Sequence, residues 1–404
     1  MSSPKAPEAQ PSAAASPPRP TTSPPHPATS SPAAGISPGN AELQMLNLPE
    51  MAIEAEAVSP YPLHVYLCVY APADLGPCSS HPRIAILPMV TTFWRKPGYP
   101  PSCDAKCSSR ISYRFENGRR YHGFKSDANY MMPNDEEEND RLDLFHHIQT
   151  LRLGGELHLA PIGNEPGRVL DVGTGTGIWA IDMGDKYPTA DILGNDISPV
   201  QPSLVPPNVK FEVDDVEDEW VYSTKFDYIH VRYLACTIRD WPKLVGQCFK
   251  FVKPGGWVEF FDYDTYFYTS AGGEYNEDSP IYSWVQNLRE GLRKFGVEPD
   301  PGPKLEGWVR DAGFTNINTR ALPFPVGTWP KDKMLKEAGA FDLYNFMDNV
   351  EGHSMRLFTM AHGWTADEVK VMAANVRKAW KNPRLRIQHN GYVIWAQKPL
   401  DAAD

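Results

Sequence analysis

The chain has 404 residues, 41% of them hydrophobic, and a net charge of −11. That length allows one large or two ordinary domains with a substantial core. The acidic balance disfavours direct contact with nucleic acid, whose phosphates it would repel. Six cysteines in so long a chain make no disulfide scaffold. The opening Met1-Ser2-Ser3-Pro4-Lys5 has no signal-peptide pattern, and no apolar run reaches the roughly 18 residues that would cross a bilayer. A protein of the cytoplasm or nucleus is expected.

Residues 1–57 are rich in Pro, Ser and Ala. Such a segment buries too little apolar surface to offset its chain entropy, so a disordered tail is expected. Residues 58–107 are apolar but broken by prolines, and contain Cys68, Cys78, Cys103 and Cys107. The cysteine spacings fit no usual zinc site, so a poorly ordered segment and no metal are expected. Asn134 or Asp135 can cap a helix whose first turn holds Glu136, Glu137 and Glu138, with Leu142, Leu144, Phe145 and Ile148 on mostly one face.

From Arg168 onward, strand and helix patterns alternate. Strands are expected at Val169–Val172, Asp191–Asn195, Val209–Val213, Phe226–Val231 and Trp257–Phe261. Helices are expected at Ile178–Tyr187 and Trp241–Phe251, with a turn at Lys253-Pro254-Gly255-Gly256. Helical patterns at 281–314 and 331–381 accompany two closing strands, Thr315–Leu322 and Tyr392–Gln397. This alternation gives an α/β fold: a Rossmann-like, doubly wound, mostly parallel sheet with a helical cap.

The first strand runs into Gly173-Thr174-Gly175-Thr176-Gly177 and then a helix. Glycines let a ligand approach the backbone closely, and the helix N-terminus presents free N–H groups. Gly175-Thr176-Gly177-Ile178-Trp179-Ala180 with the later Asp196 fits a dinucleotide fingerprint. The run also reads as the D-x-G-x-G-x-G loop for S-adenosylmethionine. Asp171 at the strand's end favours the second reading. A carboxylate there can compensate the cofactor's ammonium but would repel a pyrophosphate. Asp196 can accept from both ribose hydroxyls, and Asp214-Asp215-Val216 can meet the adenine or form an ordinary acidic turn.

The order of Val169–Gly177, Asp196, Asp214-Asp215 and Lys253–Gly256 resembles class I S-adenosylmethionine-dependent methyltransferases. The stretches Glu116–His122, Pro133–Glu138, Leu157–Pro161, Gly177–Asp182, Ser198–Pro202 and Asp240–Pro242 resemble, more narrowly, the fungal LaeA-like methyltransferases. The resemblance covers about 108–399, with a cofactor core at about 150–265 and an acceptor cap at about 275–385. It implies that Asp171, Gly173 and Gly175 hold the methionine part of S-adenosyl-L-methionine, Asp196 the ribose, and Asp215 with Val216 the adenine. Thr174, Gly177, Ile197 and Asp214 complete the expected cofactor set, and the segment around Tyr121 and His122 is expected to close over it.

No base is unmistakable. His230, Arg232 and Asp262 are the catalytic candidates, because ligands bind outside the carboxyl ends of parallel strands. Tyr263, Tyr266, Tyr268, Trp284, Phe341, Tyr344, Phe346 and Phe358 either wall an apolar acceptor pocket or form core. Three functions stay open: methylation of a small-molecule acceptor in fungal secondary metabolism, LaeA-type regulation through protein partners, and NAD-dependent oxidoreduction.

Overall fold

The computed structural model describes residues 113–123 and 130–402. The expectations for residues 1–57 and 58–107 lie outside the described residues. Strands β1 (Tyr113–Glu116) and β2 (Arg119–His122) form an antiparallel hairpin. Its turn is Asn117-Gly118, with φ of 51° and 81°. That pair of residues tolerates the left-handed backbone a tight hairpin turn demands. The hairpin is clamped to helix α1 (Glu136–Arg152) by Arg119, which donates from Nε (2.6 Å) and Nη2 (2.8 Å) to Asp135. Asp135 is also the N-cap and accepts from the Glu138 N–H at 3.1 Å. Glu136 and Glu137 are exposed, as suits a first turn. Glu138 is instead buried and paired with Arg141 at 2.7 Å.

The alternating elements follow: β3 (Arg168–Val172), α2 (Ile178–Lys186), β4 (Asp191–Asp196), β5 (Val209–Val213), β6 (Phe226–Arg232), α3 (Trp241–Phe251) and β7 (Val252–Tyr263). The expected Lys253–Gly256 turn is a bulge within β7: Phe226 pairs with Val252 but Tyr228 with Trp257, and Gly255 has φ 79°. The remainder comprises β8 (Tyr268–Thr269), α4 (Pro280–Lys294), α5 (Gly302–Asp311), β9 (Thr315–Pro325), α6 (Lys333–His362), α7 (Ala366–Trp380) and β10 (Ile387–Gln397).

The sheet order is β5-β4-β3-β6-β7-β10, with β9 and β8 also pairing β10. Strands β3 to β7 are parallel, and β10 lies antiparallel between β7 and β9. Both faces of the central strands are covered, so those strands read as continuous apolar runs. On one face Leu170, Ile229, Val231 and Phe260 pack with Leu244, Val245, Leu305 and Val309. On the other, Val169 and Tyr228 pack with Trp179, Ala180 and Met183. A separate cluster built from Ile281, Trp284, Val350, Phe358, Val376 and Trp380 forms the cap.

Replacing Asp135 by Ala removes both the cap and the clamp, and should lower stability by about 2 kcal/mol. Asp135→Asn keeps a capping oxygen and should lose less. Equal denaturation midpoints for the wild type and Asp135→Ala would show that the hairpin contributes nothing to the fold.

Candidate functional site

Strand β3 delivers Asp171 to the base of the glycine loop, where it is only 3% exposed. One carboxylate oxygen accepts from Thr174 Oγ1 at 2.5 Å, and the other lies 2.9 Å from His230 Nδ1. The His230 ring is stacked on Trp179, 3.7 Å between centroids. Burial pushes His230 down to about 4, against the pull of Asp171. Its imidazole is therefore neutral at physiological pH, and Nδ1–H donates to the carboxylate. Each Asp171 oxygen thus has one protein donor, which leaves it lone pairs for a further one. One expectation is corrected. His230 is no base for an acceptor, because it is sealed beneath the loop and spends its proton on Asp171.

The loop itself needs its glycines. Gly173, Gly175 and Gly177 have φ of 67°, 58° and 81°. A Cβ on Gly173 would meet Leu234 Cδ2 at 2.5 Å, and one on Gly177 would meet the Phe211 ring at 2.4 Å. The Gly175 N–H donates to Asp196 Oδ2 at 2.9 Å, while Asp196 Oδ1 accepts from the Ser198 N–H at 2.8 Å. Burial raises Asp196 to about 6, and these two backbone donors only partly offset it.

One cleft brings together Gly173, Asp196, Ile197, Asp214, Asp215 and Val216. Thr174, Gly175 and Gly177 belong to the loop but not to the cleft wall. The wall also takes Tyr130, Glu217, Leu234, Thr237, Ile238, Arg239 and Val297, none of which the sequence had singled out. Tyr121 is fully buried away from this wall, with the Arg356 guanidinium 4.9 Å from its ring centre. Burial pushes its hydroxyl up to about 12. Tyr130, just upstream of α1, takes the position expected for Tyr121. The alternation of β2 turns Tyr121 toward Arg356 on α6, while Tyr130 stands on the cleft wall.

Asp262 is also corrected as a catalytic candidate. It accepts from the N–H groups of Leu234 (2.7 Å), Ala235 (3.1 Å) and Tyr263 (3.0 Å). Burial raises it to about 7 despite those donors. Its work is to hold the segment after β6, where Tyr233 and Cys236 have φ of 58° and 71°. Bulky residues rarely adopt that backbone, so it persists only where neighbours enforce it. Leu234, Thr237 and Ile238 of this segment then form part of the cleft. Arg232 ends β6 and reaches His146, with Nη2 3.0 Å from Nδ1.

The aromatic set does not form one wall. Phe346 packs in the cap with Phe267 and Trp380. Phe358 is core beside His362 and Trp364. Tyr266 and Tyr344 are exposed, and Tyr263 packs with Phe145 and Phe324.

The sheet order, the antiparallel β10, the glycine loop after β3 and the acid ending β4 together define a class I S-adenosylmethionine-dependent methyltransferase. The cleft's chemistry fits that cofactor. Asp196, Asp214, Asp215 and Glu217 give it an acidic lining. Such a lining suits a ligand carrying a sulfonium and an ammonium against one carboxylate, and it would repel a pyrophosphate. Comparison with known proteins agrees. Residues 144–319 match the family described as a methyltransferase domain. The chain is 44% identical over 299 residues to methyltransferase pytC of Aspergillus terreus, covering 74% of this chain and 92% of that one. It is 33% identical over 293 residues to the secondary metabolism regulator LAE1 of Cochliobolus heterostrophus, covering 70% and 94%. It is 33% identical over 262 residues to the probable methyltransferase tdiE of Emericella nidulans, covering 65% and 82%. The chain belongs to the S-adenosylmethionine-dependent methyltransferases, in their LaeA-like branch, which closes the dinucleotide reading. Among the described residues no helix is long and apolar enough to cross a membrane, and no cluster is placed to hold a metal ion.

The raised Asp196 makes a pH test. Its charge is gained as pH rises through about 6. Affinity for S-adenosylhomocysteine should therefore fall roughly tenfold when the pH drops from about 8 to about 5, if the ionised form alone binds. Asp196→Asn should bind weakly at both values. Titration calorimetry reads this directly, and a pH-independent wild-type affinity would separate Asp196 from the ligand.

Proposed function

We propose that this protein methylates an oxygen or nitrogen of a small-molecule acceptor in fungal secondary metabolism, in the cytoplasm or nucleus. The observation that carries the reading is the set of residues that walls the cleft. Tyr130 from the segment before α1 and Val297 from the chain after α4 join that wall. A recess walled from several segments suits a compact acceptor better than a protein surface. The 44% identity to a protein named as a methyltransferase, against 33% to a named regulator, supports the same reading.

The cofactor supplies a methyl carbon on a sulfonium, and the group that leaves is neutral, so no general acid is required. The protein's task is then placement, which can supply about 7–11 kcal/mol when two reactants are held in line. Asp196 would accept from the ribose hydroxyls. Asp215 and the Val216 N–H would take the adenine edge, with Asp214 beside them. Gly173 would let the methionine end approach the main chain. Leu234, held by Asp262 through its backbone N–H, and Ile238 would pack against the cofactor's apolar surfaces.

The test uses methyl-labelled S-adenosylmethionine, purified protein and a fungal culture extract. Label is expected in the extractable small-molecule fraction. Label confined to protein would replace this reading with a regulatory one, and the absence of any cofactor binding would remove both. In the same assay Asp262→Ala should reduce turnover at least tenfold through misplacement of the β6 segment, since an error of about 1 Å in positioning can cost that much.

A further inference from the structure

A second recess, on the cap, takes no part in the cofactor site. It is a groove of about 910 Å³ between α4 and α7, and it shares no residue with the cofactor cleft. Its floor is apolar: Trp284 and Val376 belong to the cap core, and Met372 packs against them. Its α7 wall is a row at helical spacing, Asp367, Val371, Asn375 and Lys378. Val371 stands on that wall 63% exposed. An exposed apolar side chain beside an apolar trough marks a contact surface.

The charges of the wall select the partner. Asp367 and Glu368 lie in the first turn of α7 and Lys378 in its last. Asp367 and Lys378 are therefore about 16 Å apart along the helix axis. Asp367 has only the exposed Lys370 at 3.5 Å, a weak surface pair. Among the described residues no carboxylate pairs with Lys378. A second copy, turned by a two-fold axis near Met372, sets each Lys378 against the other copy's Asp367. It also lays the two helix dipoles antiparallel. A parallel copy would instead put like ends together. The same rotation brings both Val371 side chains to the centre, over the apolar floors. We propose that α4 and α7 form a homodimer interface, with two copies packed antiparallel across this groove. Helix α7 has 15 residues, about 22 Å, and a pair of packed helices is about 20 Å wide. Such a face buries about 900 Å² over both copies, the size of a reversible contact. The dimer should then dissociate on dilution through the micromolar range.

The experiment is sedimentation equilibrium of the full chain from about 1 to about 100 µM. Wild type should pass from monomer to dimer across that range. Val371→Glu sets two like charges at the centre and should weaken the dimer at least tenfold. Lys378→Glu and Asp367→Lys should each weaken it as well, because both ends then meet like charge. Mixing those two variants should restore a dimer, since each altered end now faces its opposite. All three positions are exposed, so the variants should keep the wild-type melting temperature and affinity for S-adenosylhomocysteine. A wild type that stays monomeric throughout would overturn the proposal. So would a dimer that survives both Val371→Glu and Lys378→Glu, or a mixture of the two charge variants that stays monomeric.

Discussion

The contact between Asp171 and its two donors is what the ligand end of the sheet depends on. A carboxylate buried to this degree costs several kcal/mol unless it is well hydrogen-bonded. Thr174 bonds it from within the loop, and His230 bonds it from the neighbouring strand. The first bond fixes the turn through Gly173, and the second fixes the loop to β6. His230 is itself immobilised against Trp179, whose indole N–H donates to the Leu157 carbonyl at 2.9 Å. The glycine loop is thus held from below, and its upper surface is left for the ligand.

The same device recurs along the sheet. Asp262 gathers three backbone N–H groups and fixes the segment after β6. Glu259 accepts from the Leu159 and Ala160 N–H groups at 2.8 Å and 2.6 Å and fixes the approach to β3. Burial raises Glu259, like Asp262, to about 7. Each acid therefore turns loose chain into a defined surface, at the cost of holding a poorly solvated charge. Removing such an acid leaves unsatisfied N–H groups as well as a void, and that combination is costly.

This device also explains what the sequence could show. The parallel strands and their helices were legible because apolar runs, glycines and caps act locally. Helix α3 spans Trp241–Phe251 as its pattern indicates, and Asp135 caps α1. The cleft acids were legible because strand ends in this topology face the ligand. The roles of Asp262 and His230 were not, because position at a strand end does not reveal which donors converge on a side chain. Tyr121 and Tyr130 illustrate the same limit. Which of two nearby tyrosines reaches the cleft depends on the register of a four-residue hairpin, and the sequence carries no strong signal for that. The aromatic residues beyond Asp262 were ambiguous because core and pocket draw on the same residue types.

The cap is joined to the cofactor half through polar bonds as well as apolar packing. Arg141 on α1 pairs with Glu138 and donates to Asn345 on α6 at 3.0 Å. Asn349 donates to Glu138 at 3.1 Å, and Asn345 donates to Asp342 at 3.2 Å. Asp342 in turn lies 2.6 Å from His389 on β10. These bonds run unbroken from α1 through α6 to the strand that closes the sheet. Hydrogen bonds are directional, whereas apolar contacts can slide, so a satisfied buried network selects one seating of the cap. With the seating set by polar groups, apolar residues of the cap can change without moving the cap relative to the cleft.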